Sequence, residues 1–121
     1  MTKPRSRVAG IGMRSGAGLE SLRAALELAS GGAITALATI EARANALRPL
    51  AAELGLPMRV VPVAGVVTPT QSSRVQARFG TGSVAEAAAL VAAGPGAMLL
   101  VKRVKSTDGM VTCAVAEGDG I

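Results

Sequence analysis

With 121 residues, half of them hydrophobic and 17% charged, the chain can bury one core and is too apolar to be disordered. The absence of histidine and the single cysteine exclude Ser-His-Asp and Cys-His nucleophile systems, imidazole ligands, a thiolate zinc site and an internal disulfide. A small polyanionic ligand accounts for the net charge of +5 with fewer assumptions than nucleic acid, because base-stacking aromatics are missing apart from Phe79.

Lys3, Arg5 and Arg7 form a basic N-terminal tail over residues 1–7. Val8-Ala9-Gly10-Ile11 then reads as a short buried strand, followed by the turn from Gly12 to Gly18. Leu19, Leu22, Leu26 and Ala29 recur at helical spacing, with Glu20 in the first turn, and Gly31-Gly32 stops the helix. Ile34 to Ile40 is the second strand. The next helix buries Leu47, Leu50, Ala51 and Leu54; Asn45 as a cap and Pro49 in a first turn are competing starts, and Gly55 ends it. Met58 to Val63 makes the third strand.

Ala64 to Phe79 is the longest irregular segment, with Ser73-Arg74-Val75-Gln76 capping one short helical turn. Connections this long inside a small domain often serve binding. Ser83-Val84-Ala85-Glu86 matches a capping box and opens a third long helix. Ala97 to Val104 is the fourth strand, Asp108-Gly109 the hairpin turn, and Met110 to Ala116 the fifth strand, with Cys113 as a small buried residue; residues 117–121 read as a frayed tail. The longest apolar region, Val84 to Val101, is broken by Glu86 and Gly94-Pro95-Gly96, so it is a helix, a turn and a strand rather than a membrane span. No apolar leader core follows the basic N-terminus, and a cytoplasmic location is expected.

Strands alternating with helices predict an α/β fold: a single-domain three-layer sandwich over residues 1–121, its sheet mainly parallel, with helices on both faces and a C-terminal β-hairpin. In such a sheet, loops that follow parallel strands gather along one edge, where ligands bind. That edge brings together Arg14, Ser15, Gly16, Arg43, Thr81 and Ser83, and also Lys102 and Lys105 if strand four runs parallel to the first three. Cations and the start of the third long helix both favour anions there. Glu41 and Glu86 are the candidate general acids or bases; Glu86 serves equally as the capping-box partner of Ser83. No metal or cofactor is expected.

Taken in order, these blocks resemble the cobalamin biosynthesis protein CobE family, which is similar to the C-terminal domain of CbiG. Ala9 to Gly16, Leu37 to Ile40, Leu54 to Pro57, Gly80 to Leu90 and the hairpin from Lys102 to Ala116 carry the resemblance, and Ser83 to Leu90 is its most specific part. Family members often have Cys and two arginines before the turn glycine. Met13, Arg14 and Ser15 stand here, which argues against a required thiol and removes one cation, while Arg43 replaces a lysine. The resemblance implies corrin ring synthesis and, with it, binding of a precorrin or corrin intermediate as carrier or auxiliary factor. In the manner of CbiG, it also implies opening of a precorrin lactone as an alternative, with cationic stabilisation of the oxyanion. Other corrin-pathway enzymes are candidate partners, and edge strands leave room for a homodimer. The rival reading is a small dinucleotide-binding domain, from Gly10-x-Gly12-x-x-x-Gly16 after a strand and Glu41 at the end of strand two.

Overall fold

The apolar runs and helical stripes of the chain become a five-stranded sheet in the order β3-β2-β1-β5-β4 in the computed structural model, which describes residues 5–30 and 33–120. The stop at Gly31-Gly32, Lys3 of the basic tail and Ile121 lie outside the described residues. The elements are β1 (Ser6–Met13), α1 (Leu19–Ala29), β2 (Ala36–Thr39), α2 (Ala44–Leu54), β3 (Met58–Val60), α3 (Ser73–Phe79), α4 (Val84–Ala93), β4 (Met98–Lys105) and β5 (Val111–Gly118). β1 pairs in parallel with β2, and β2 with β3. β5 lies antiparallel between β1 and β4. Four strands therefore share one direction and only β5 opposes them. The C-terminal ends of β1, β2, β3 and β4 fall on one edge, as the sequence predicts for a parallel strand four.

Two apolar clusters make the three layers. Leu22, Ala25, Leu47 and Leu50 of α1 and α2 cover one face with Ile11, Leu37 and Val115. Ala88, Ala89, Ala92 and Ala93 of α4 cover the other with Val8, Ala38 and Ala116. Alanine dominates α4 because the helix lies almost on the backbone of β1 and β5. A Cβ built on Gly10 would stand 2.5 Å from the Ala89 amide nitrogen and closer still to the Ala85 carbonyl oxygen. Gly118 meets the Ala93 carbonyl in the same way. Small residues on both partners allow this approach, and dispersion rewards it over many atom pairs. Arg59 of β3 donates to the Ala92 carbonyl at 2.8 Å, supplying a cation at the C-terminal end of α4.

Several boundaries differ from the sequence reading. α2 begins at Ala44, after a short 3₁₀ turn at Glu41–Arg43, and contains Pro49 in its interior. Neither expected start applies; burial of Ala44, Leu47, Leu50 and Ala51 holds the helix on the sheet across the proline. β3 stops at Val60, while Val61 and Val63 remain buried without belonging to the strand. α3 extends over seven residues from a Ser72 cap, instead of one turn starting at Ser73.

The outermost described residues are tied in at both ends. Arg7 belongs to β1 and its Nη2 lies 3.0 Å from the Glu117 carboxylate, while Arg5 donates to the Gly96 carbonyl. Gly118 is in β5, and the amides of Asp119 and Gly120 donate to the carbonyls of Pro95 and Ala93. Residues 117–120 are thus the last rung of the sheet and its anchor to α4, not a frayed end. Cys113 is fully buried between the sheet and α1, and burial pushes its thiol up to about 12. No helix among the described residues is long and apolar enough to cross a membrane.

Candidate anion-binding site

At the C-terminal edge of the parallel strands lies a cavity of about 590 Å³, within the roughly 300–1,000 Å³ usual for ligand sites. Its apolar lining comes from Met13, Ile40, Val75, Phe79, Val84 and Met110. Arg14, Arg43, Arg74, Arg78, Arg103 and Lys105 also line it, and among the described residues no Asp or Glu does. None of these cations is in an ion pair among the described residues, whereas Arg5, Arg7 and Arg23 all have carboxylate partners. Cations gathered without counter-charges repel one another, and an anion entering from solution relieves that repulsion.

Local structure explains how each wall is placed. The turn after β1 carries Arg14 and Ser15; the Arg14 amide donates to the Met110 carbonyl at 2.9 Å, which joins this turn to the β4–β5 hairpin. Arg43 follows β2 and its Nε donates to the Met13 carbonyl at 3.0 Å, so one side chain braces the first turn and faces the cavity. Arg74 and Arg78 are one helical turn apart on α3, on the same side of the helix. Arg78 also lies over the Phe79 ring, 5.2 Å from its centroid. Ser83 and Val84 bring the N-terminal end of α4 to the lining, and Ser83 Oγ accepts from the Glu86 amide at 3.2 Å.

The hairpin wall depends on Asp108. Its carboxylate accepts from the Ser106 hydroxyl at 2.6 Å, from the Ser21 hydroxyl of α1 and from the Met110 amide at 3.0 Å. The Ser106 bond, then the Ser21 bond, hold its pKa down to about 2 from an ordinary 3.8. A depressed carboxylate pKa gives stability that is complete above the unfolded value and is lost as pH falls through the folded one. Urea midpoints for wild type and Asp108→Asn should therefore differ by a constant amount above about pH 4 and converge as pH approaches about 2. A difference that persists unchanged at pH 2 would contradict this role.

Of the residues singled out in the sequence, Arg14, Ser15, Arg43, Ser83 and Lys105 meet at the cavity. Gly16, Thr81, Lys102, Glu41 and Glu86 do not line it. Gly16 forms the turn with φ +85°, a conformation that suits glycine. Thr81 is buried and donates to the Val66 carbonyl at 2.7 Å, closing the loop before α4. Lys102 is exposed to solvent, and Arg103 beside it turns to the cavity. Glu41 is exposed on the 3₁₀ turn, and Glu86 is sealed inside. Glu86 does not complete the capping box: its carboxyl accepts from Thr70 and Arg103 rather than returning to the Ser83 amide. Sequence reasoning missed Arg74, Arg78 and Arg103; the four-residue spacing of the first two, inside a long loop, was the available signal. No group of His, Cys, Asp and Glu among the described residues is arranged to hold a metal ion.

Residues 7–116 match the family model described as cobalamin synthesis G C-terminus. Among solved structures, CobE, a protein from the cobalamin (vitamin B12) biosynthetic pathway, is 30% identical, with a TM-score of 0.78 over 97% of this chain and 96% of that one. Cobalamin biosynthesis protein chiG from Agrobacterium tumefaciens str. C58 is 33% identical, with a TM-score of 0.64 over 91% of this chain and 96% of that one. A cobalamin biosynthesis protein G homolog from Sulfolobus solfataricus shares the fold at 22% identity and a TM-score of 0.68, over 95% of this chain and 37% of that one. No curated protein sequence matches the chain significantly.

Proposed function

Because this chain belongs to the cobalamin synthesis G C-terminus family, and so to cobalamin biosynthesis, we propose that its basic cavity binds a carboxylate-rich precorrin or corrin intermediate, as a carrier or auxiliary factor of the pathway. The observation that carries this reading is a set of cations around an apolar lining, with no acid in the lining and no ion-pair partner for them among the described residues. Corrin intermediates present the complementary chemistry, a broad apolar ring fringed with carboxylates. Apolar side chains take the ring face, and guanidinium groups take the fringe, where charge-assisted hydrogen bonds are strongest.

Magnitudes divide the work between the two. An exposed ion pair contributes at most about 1 kcal/mol. Several such pairs alone give roughly millimolar affinity, about 4 kcal/mol, so micromolar binding requires ring burial as well. The charged share is screened by salt and the apolar share is not.

Binding is favoured over lactone hydrolysis by the placement of the two candidate bases. Glu86 has both carboxyl oxygens occupied, and Glu41 faces solvent outside the cavity. The same lining disfavours a dinucleotide, which calls for an acid on the ribose hydroxyl. An absorbance titration with hydrogenobyrinic acid, at low and high salt, tests the reading. The protein has no Trp or Tyr, so the ligand chromophore dominates the signal. A saturable spectral shift, weaker at high salt, is the expected result; no shift at high protein concentration overturns it.

A further inference from the structure

We infer that Glu86, the buried acid behind the cavity, is a positioning residue that fixes two of its cationic walls at once; the inference rests on the reading of the cavity as an anion site. Among the described residues it is the one buried Asp, Glu, Lys or Arg, fully enclosed in the first turn of α4. One carboxyl oxygen accepts from the Thr70 amide at 2.8 Å. The other accepts from the Thr70 hydroxyl at 2.8 Å and the Arg103 amide at 2.9 Å.

Enclosing a carboxyl is costly unless it satisfies groups that have no other partner. The helix start does not require it, since Ser83 Oγ already caps the Glu86 amide. What it joins is informative. Thr70 enters the segment leading to α3, which carries Arg74 and Arg78 and buries none of its own residues fully. Arg103 sits on edge strand β4, where the pairing with β5 shifts register between Val101 and Val104. α3 rests on the core through Val75 and Phe79, with the Ser72 amide donating to the Gly82 carbonyl, and Val101 and Val104 flank Arg103 in the pairing with β5, yet none of these contacts joins one wall to the other. Glu86 ties both to the rigid base of α4, and so sets the distance between the α3 arginines and Arg103.

The donors also set the chemistry. Thr70 and Arg103 both present backbone N–H groups, which can only donate. A glutamine at position 86 offers one oxygen and one NH₂, so whichever way its amide lies, one backbone N–H loses its acceptor. Glu86→Gln therefore keeps the shape and releases one wall.

The experiment is a hydrogenobyrinic acid titration of Glu86→Gln, in the wild-type background and in a background carrying Arg74→Ala, Arg78→Ala and Arg103→Ala. Weakening of about tenfold is expected in the first and less than about twofold in the second. A purely structural role gives the same factor in both, and that result, or affinity within twofold of wild type in the first, overturns the inference. Amide hydrogen exchange provides a readout that needs no ligand. Exchange at Thr70 or Arg103 should quicken in Glu86→Gln while β1 stays protected; unchanged exchange at both overturns the inference. If wild type does not bind the probe, the functional reading falls alone, and the exchange result decides for Glu86. If Glu86→Gln fails to fold, Thr70→Val, which removes only the hydroxyl bond, is expected to weaken binding about threefold with the same background dependence; no loss overturns the inference.

Discussion

Gly10→Ala is expected to lower the melting temperature by 10 °C or more, on the order of 3 kcal/mol for a domain of this size, and Gly18→Ala is expected to lower it by only a few degrees, the cost of alanine at the N-cap of α1. Both substitutions add one methyl group. At Gly10 it would enter the space of the Ala85 carbonyl and stand 2.9 Å from the Ala89 Cβ. The obstacle is mainly helix backbone, so no rotamer change relieves it and α4 must move away from β1. That motion would open the alanine-lined layer along the helix, where Ala85, Ala88, Ala89 and Ala92 are all fully buried. At Gly18 the added methyl meets nothing within 4 Å, and φ is −93°, which any residue adopts. Thermal unfolding followed by far-UV circular dichroism checks both, since the chain has no Trp or Tyr for fluorescence. A Gly10→Ala midpoint within about 2 °C of wild type would mean that α4 is seated less closely than described.

That contact also explains why the fold was readable from the sequence. A helix running Val84-Ala85-Glu86-Ala87-Ala88-Ala89, opposite a strand that contains Gly10 and Gly12, is a local pattern with a packing consequence. The same holds for α1, whose Leu22 and Ala25 stripe is regular, and for the β4–β5 hairpin around Asp108-Gly109. The hairpin alone leaves the direction of β4 open, since it relates β4 only to β5; the antiparallel pairing of β5 with β1 returns β4 to the direction of β1. Lys105 therefore reached the predicted edge.

Other features lacked a local signal. α3 is seven residues long and turns only Val75 and Phe79 to the core, too short a stripe to show a period, and its two arginines looked like loop charge. Lys102 and Arg103 are adjacent cations on an edge strand with irregular pairing. Which of them meets the cavity depends on the contact between the Arg103 amide and Glu86, 17 residues apart in the chain. Glu86 itself fitted a capping box by spacing alone; its actual partner Thr70 lies 16 residues upstream in the irregular loop. Tertiary hydrogen bonds of this kind leave no periodicity. The N-terminal arginines looked like a solvated tail for a similar reason, because Glu117, the partner of Arg7, stands 110 residues away.

The missed arginines give the sharpest test of the cavity. Replacing Arg74 and Arg78 together by Glu is expected to weaken hydrogenobyrinic acid binding by roughly a hundredfold, about 3 kcal/mol, from lost attraction and new like-charge repulsion. Lys102→Glu changes net charge in the same sense yet should alter affinity by less than about twofold at moderate salt, because that side chain faces solvent outside the lining. Lys105→Glu should fall between them, since it contributes one cation to the lining. Stability should change little in the double variant, because both arginines are exposed and lack ion-pair partners among the described residues, and the contact of Arg78 with the Phe79 ring is worth about 1 kcal/mol or less at an exposed site. The comparison separates a site from a general field. If overall positive charge attracts the ligand, the three positions should scale with the charge removed and lose their effect together at high salt. If the cavity holds it, the ranking from α3 through Lys105 to Lys102 should persist at salt concentrations that screen the remote lysine completely.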